Sequence, residues 1–147
     1  MKLLSIARYL SCITLSTALL FLNTAVAKGA GIKVIANIDP PPGLLNKQEI
    51  RNLFLGGTSN LDLRPIALKQ NNETRVMFNT LVVGLSEVRI QSYWAQMRFS
   101  GRMKPPESMS TEQEVIDYVS RNKGVIAYVS SDTAVPEGLH VLLEISP

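Results

Sequence analysis

Short β-branched runs alternate with apolar stripes of helical period along this chain. That alternation limits the fold more than any other feature of the sequence. Lys33-Val34-Ile35-Ala36-Asn37-Ile38 is strand-like and is stopped by Asp39, the prolines Pro40, Pro41 and Pro42, and Gly43. Asn46 with Glu49 three residues on has the pattern of a capping box. Ile50, Leu53 and Phe54 follow at helical spacing, and Gly56-Gly57 ends that helix. Pro65-Ile66-Ala67-Leu68 reads as a second strand. A second helix opens around residues 71–74 and carries Phe78, Leu81, Val82 and Leu85 as one stripe. A third begins near Ser86 with Ile90, Tyr93, Trp94 and Met97 on a face expected to lie against the sheet; Gly101 and Pro105-Pro106 end it. Ser110, with Gln113 three residues on, starts a fourth helix whose inner face holds Val115, Ile116 and Val119 and which stops at Asn122-Lys123-Gly124. Residues 125–129 and 139–145 are strand-like, with Pro136 and Gly138 in the turn region between them. The expected order is β-α-β-α-α-α-β-β, an α/β sheet with helices on its faces.

The first 27 residues do not belong to that pattern. Lys2 and Arg8 precede an uncharged apolar and hydroxylated run over residues 9–22, and Ala25-Val26-Ala27 supplies a small-x-small ending. A basic start, a run of this length and that ending describe a secretory signal peptide cut after Ala27. The run is shorter than the roughly 20 residues a membrane-spanning helix needs. The expected division is a signal peptide over 1–27 and one domain over 28–147, with a periplasmic product.

Cleavage changes the charge balance. Lys2 and Arg8 are two of 15 basic residues, so 13 remain against 12 acidic ones, and the pI of 9.2 belongs largely to the discarded segment. No basic field is left to argue for nucleic acid. Cys12, the chain's one cysteine, also leaves, and with it any disulfide or thiolate site. The roughly 120 remaining residues must be held by their own apolar core, which such a length can supply.

Residues suited to catalysis are sparse. His140 is the only histidine, lies inside the last strand, and has no partner at metal-ligand spacing. No serine occupies a Gly-x-Ser-x-Gly elbow. Glu112, Glu114 and Asp117 fall in the first turns of the fourth helix, where they complement the macrodipole on a solvated face. Tyr93 and Trp94 belong to an apolar stripe and read as core. The expectation is a protein with no enzymatic activity, catalytic residues, metal or cofactor. Lys69-Gln70-Asn71-Asn72-Glu73-Thr74-Arg75 is the most informative stretch. It joins a strand end to a helix start, where free N–H groups and the dipole favour an anion.

Leu44-Leu45-Asn46-Lys47-Gln48-Glu49-Ile50-Arg51-Asn52-Leu53-Phe54-Leu55-Gly56 resembles a segment of the periplasmic phosphate-binding proteins that serve ABC importers, in the type 2 periplasmic-binding superfamily. The resemblance continues through Pro65-Ile66-Ala67-Leu68-Lys69, Tyr93-Trp94, Phe99-Ser100-Gly101 with Pro105-Pro106, and residues 122–129. It implies a short, single-lobe member of that fold, with a mixed sheet of about four to five strands. The family's Ser-Gly-Thr phosphate loop falls on Asn72-Glu73-Thr74, with Phe78 four positions after Thr74, and its upstream arginine is nearest to Lys69. The anion-binding set implied is Lys69, Asn72, Thr74 and Arg75.

Two departures bear on that set. Glu73 puts a carboxylate at the helix start that would attract the ligand, and it removes the glycine that permits close backbone approach. A single lobe also leaves the site open to water, where each charge contact is weak. The resemblance implies a solute-binding-like protein linked to uptake or sensing of phosphate or another oxyanion, with low affinity. Its partner would be an envelope membrane protein: importer, sensor or channel. The alternative is a ligand-free interaction or sensory module of the envelope that kept the fold.

Overall fold

The structure, a computed structural model, describes residues 31–146; the expected signal peptide lies outside them. Five strands form one mixed sheet: β1 (Ile32–Asn37), β2 (Arg64–Leu68), β3 (Glu107–Met109), β4 (Val125–Ser130) and β5 (His140–Ile145), in the order β3-β2-β4-β1-β5. β2 runs parallel to both β3 and β4, whereas β1 is antiparallel to β4 and β5. Every residue of β4 is buried, so both faces of this central strand are covered. A near-continuous hydrophobic strand such as Val125-Ile126-Ala127-Tyr128-Val129 suits that place.

Among the described residues four α-helices pack around the sheet: α1 (Lys47–Phe54), α2 (Glu73–Phe78), α3 (Glu87–Phe99) and α4 (Glu112–Arg121). The expected capping box is present, with Asn46 Oδ1 accepting from the Glu49 N–H at 3.0 Å and Glu49 Oε2 accepting from the Asn46 N–H at 2.8 Å. Ile50, Leu53 and Phe54 are its buried face, as their spacing requires. Phe54, Phe78 of α2 and Tyr128 of β4 form an aromatic core; Phe78 stacks on Tyr128 with centroids 3.9 Å apart and planes 4° from parallel.

The structure departs from the sequence expectations in four places. A short strand, β3, follows Pro105-Pro106, where a simple connection was expected; three residues are too few to show a period. The second helix turns into a π segment over Asn79–Val83, which ends at Gly84 in the left-handed conformation (φ 70°). The wider turn shifts the helical phase, so Phe78, Val82 and Val83 are buried while Leu81 and Leu85 are only half-buried. The cap of α4 is Thr111 rather than Ser110: Thr111 Oγ1 accepts from the Glu114 N–H, and Glu114 Oε2 accepts from the Ser110 N–H. Finally, α3 buries Ile90 and Trp94 but leaves Tyr93 and Met97 half-exposed. It is fastened to the end of α1, where the Tyr93 hydroxyl donates to the Leu55 carbonyl at 2.7 Å, and Trp94 reaches close to Gly56.

Candidate functional site

The residues expected to hold an anion all lie where β2 passes into α2. Asn71 takes φ 69°, and Asn72 caps the helix: its Oδ1 accepts from the Thr74 N–H at 3.0 Å and from the Arg75 N–H at 3.4 Å. Asn is well suited to both positions, because it tolerates the left-handed region and its short side chain satisfies helix-start donors. The two N–H groups an anion would use are therefore occupied by the protein's own cap.

Thr74 is buried and its hydroxyl points away from solvent. Thr74 Oγ1 donates to Glu112 Oε1 at 2.5 Å, and Glu112 Oε2 accepts from the Ser130 N–H at 3.1 Å and from Thr133 Oγ1 at 2.6 Å. A carboxylate accepting one backbone and two hydroxyl hydrogen bonds has the surroundings of a bound oxyanion. Here that oxyanion is part of the chain. The acidic group at the start of α4 thus divides: Glu114 and Asp117 are exposed as expected, while Glu112 is half-buried and turned inward.

Arg75 is held as firmly. Its Nε and Nη2 donate to the two Glu87 oxygens at 2.9 and 2.8 Å, and Nη1 donates to the Leu68 carbonyl at 2.6 Å. Only 13% of the Arg75 side chain and 23% of the Glu87 side chain are exposed. Asn79 Nδ2 adds a hydrogen bond to Glu87 Oε2 at 2.7 Å. Burial pushes the Glu87 carboxyl up. Hydrogen bonding and charge from Arg75, with Gln91 and Asn79, outweigh it and hold the group below its ordinary 4.5. The bidentate pair and the Leu68 carbonyl commit three of the five guanidinium N–H groups to the protein itself.

Lys69 is the exception in the set. It is exposed, and its ammonium makes no hydrogen bond or ion pair among the described residues. It lines an open groove of about 760 Å³ together with Arg75, Gln91, Trp94, Arg98 and Ser108. The four expected residues therefore do not converge. Lys69 and Arg75 border this groove, whereas Thr74 faces Glu112. Glu73, expected to be the carboxylate that disturbs an anion, is exposed at the helix start; Glu112 does the filling. Sequence reading missed this network, in which Glu112 bonds Thr74 across 38 residues and Ser130 and Thr133 across 18 and 21. The marks the sequence offered there, Ser110 with Gln113 and the acidic group Glu112, Glu114 and Asp117, point to a helix start and not to an inward-turned carboxylate.

Among the described residues no cluster of three or more His, Cys, Asp or Glu could hold a metal, and no helix is long and apolar enough to cross a membrane. His140 is half-buried at the start of β5.

No protein-family model and no curated protein matches the chain. Among solved structures, an ABC-type phosphate transport receptor from Vibrio cholerae is similar, with a TM-score of 0.57 at 13% sequence identity. The match covers 76% of this chain and 45% of the receptor, so this chain spans less than half the receptor's length. At that identity the likeness is one of fold: a mixed α/β unit corresponding to a single lobe of the periplasmic-binding-protein type.

Proposed function

We propose that this chain is an exported, non-enzymatic protein of the phosphate-receptor type that works in solute uptake or sensing by protein contact, with its own Glu112 in place of a captured oxyanion. Residues 1–27 are its signal peptide and residues 28–147 its periplasmic domain. The likeness to a phosphate transport receptor supports the class. The observation that carries the mode of action is the Glu112 carboxylate, bonded by Thr74, Ser130 and Thr133. An external phosphate would have to displace a group that is covalently tethered, half-buried and already satisfied by three hydrogen bonds. A tethered group has a large effective concentration, so displacement costs more than filling an empty site.

Calorimetric titration with phosphate and with sulfate tests this. The protein with Glu112 intact should bind neither below about 10 mM, an affinity weaker than about 3 kcal/mol. Glu112→Ala, which removes the acceptor shared by the Thr74 and Thr133 hydroxyls and the Ser130 N–H, should gain measurable oxyanion binding. Micromolar phosphate binding by the unaltered protein would establish it as an oxyanion carrier instead and sink this reading.

A second reading, low-affinity oxyanion binding at the open groove, is favoured by the unpaired Lys69 beside Arg98. It is separated from the first by Lys69→Gln, which would abolish weak binding at the groove and leave a binding site made by Glu112→Ala intact.

A further inference from the structure

The nearly balanced charge of residues 28–147 is unevenly distributed. Residues 88–106 carry Arg89, Arg98, Arg102 and Lys104 and no acidic residue, whereas the next turn of chain holds Glu107, Glu112, Glu114 and Asp117. Three of these four basic residues, Arg98, Arg102 and Lys104, gather where α3 ends. Gly101, at φ 68°, reverses the chain there, with the Arg102 N–H donating to the Met97 carbonyl at 3.1 Å and the Gly101 N–H to the Arg98 carbonyl at 3.0 Å. That reversal brings Arg98, Arg102, Met103 and Lys104 around one open concavity of about 770 Å³. None of the three cationic side chains has a hydrogen bond or ion pair among the described residues.

Phe99 is the last residue of α3 and is 98% exposed, the most exposed large hydrophobic group described. A cation in the last helical turn complements the macrodipole, which accounts for Arg98. It accounts neither for Arg102 and Lys104, beyond the helix, nor for a bare phenyl ring next to Arg98 in the chain.

We infer that this helix end docks on an anionic phospholipid surface, with Phe99 entering the headgroup layer and Arg98, Arg102 and Lys104 lying at phosphate level. Charge complementarity requires an anionic partner. The exposure of the ring selects lipid over an acidic protein: Phe99 stands almost wholly exposed at the end of α3, and a fluid interface accepts a projecting aromatic without a preformed pocket. Basic side chains beside a membrane add attraction that falls off within a Debye length, so the contact is reversible and salt-sensitive. A protein held this way stays beside the membrane without a spanning helix.

Protein purified after export would be sedimented with vesicles of phosphatidylglycerol and phosphatidylethanolamine, and with vesicles of phosphatidylcholine alone. Binding is expected to the anionic vesicles and not to the neutral ones. Each of Arg98→Gln, Arg102→Gln and Lys104→Gln should lower partitioning about fivefold at low salt, and Phe99→Ala about tenfold. Phe99→Trp should shift its emission to the blue with anionic vesicles; Trp94 alone in the unaltered protein should show no shift. Absence of vesicle binding, binding indifferent to Phe99→Ala, or equal binding to polyglutamate would each overturn the proposal, the last in favour of an acidic protein partner.

Discussion

Tyr128 joins the packing of the core to its hydrogen bonding. Its ring lies on Phe78, and its hydroxyl oxygen accepts from the Leu68 N–H at 3.1 Å, satisfying the last residue of β2 where that strand leaves the sheet. Burial pushes the phenol up to about 12 from 10.0. A group whose folded pKa is raised contributes stability that is complete below its unfolded value and lost as pH rises through the folded one. Denaturant unfolding should therefore show stability falling between about pH 10 and pH 12. In Tyr128→Phe that alkaline loss should shrink, while the neutral-pH stability drops by about 1–3 kcal/mol because a buried N–H is left unpaired. An unchanged alkaline slope in the variant would place the titration elsewhere. Glu87 acts in the opposite sense: its lowered pKa stabilises above the carboxylate range and is lost as pH falls through it.

Among the elements, α3 depends most on a few side chains, because much of its surface is exposed and its buried residues are Ile90 and Trp94. Trp94 fills the space over Gly56 and Met103, and the Tyr93 hydroxyl ties the helix to the end of α1. Truncating Trp94 to Ala should cost about 3–5 kcal/mol by urea unfolding, as for other large aromatic residues in cores. A near-neutral result would mean that the ring contributes little to packing and would point to a ligand-stacking role at the groove it borders. Tyr93→Phe, which removes only the hydrogen bond to Leu55, should cost about 1 kcal/mol.

At the scale of the whole molecule, the sheet carries β1 antiparallel between β4 and β5, with the parallel trio β3, β2 and β4 beside it. This arrangement makes one layered lobe, and the two concavities of about 760 and 770 Å³ among the described residues are open grooves rather than enclosed chambers. A partner surface is a better match to open grooves than a sequestered solute, since small-molecule sites bury most of their ligand. Export is the companion expectation. Intact-mass measurement on the envelope fraction should give a chain beginning at Lys28; retention of residues 1–27, or a lipid on Cys12, would disprove the signal-peptide assignment.

The chain's local chemistry determined most of the elements and the inner faces of several, though neither the strand β3 nor the π segment after α2. Asn46 and Glu49 wrote the start of α1, Ile50, Leu53 and Phe54 its inner face, and the unbroken apolar run after Gly124 the central strand. These follow from short-range sterics, caps and hydrophobic period, which act within a few residues. The tertiary structure alone decided three things: the order of the strands, the pairing of Arg75 with Glu87, and the insertion of Glu112 beneath Thr74. In the sequence, Glu112 reads as one more acid at a helix start. Only the approach of α4 to Thr74 and to the end of β4 turns that carboxylate inward, because desolvation and hydrogen bonding depend on what surrounds a charge and not on where it stands in the chain.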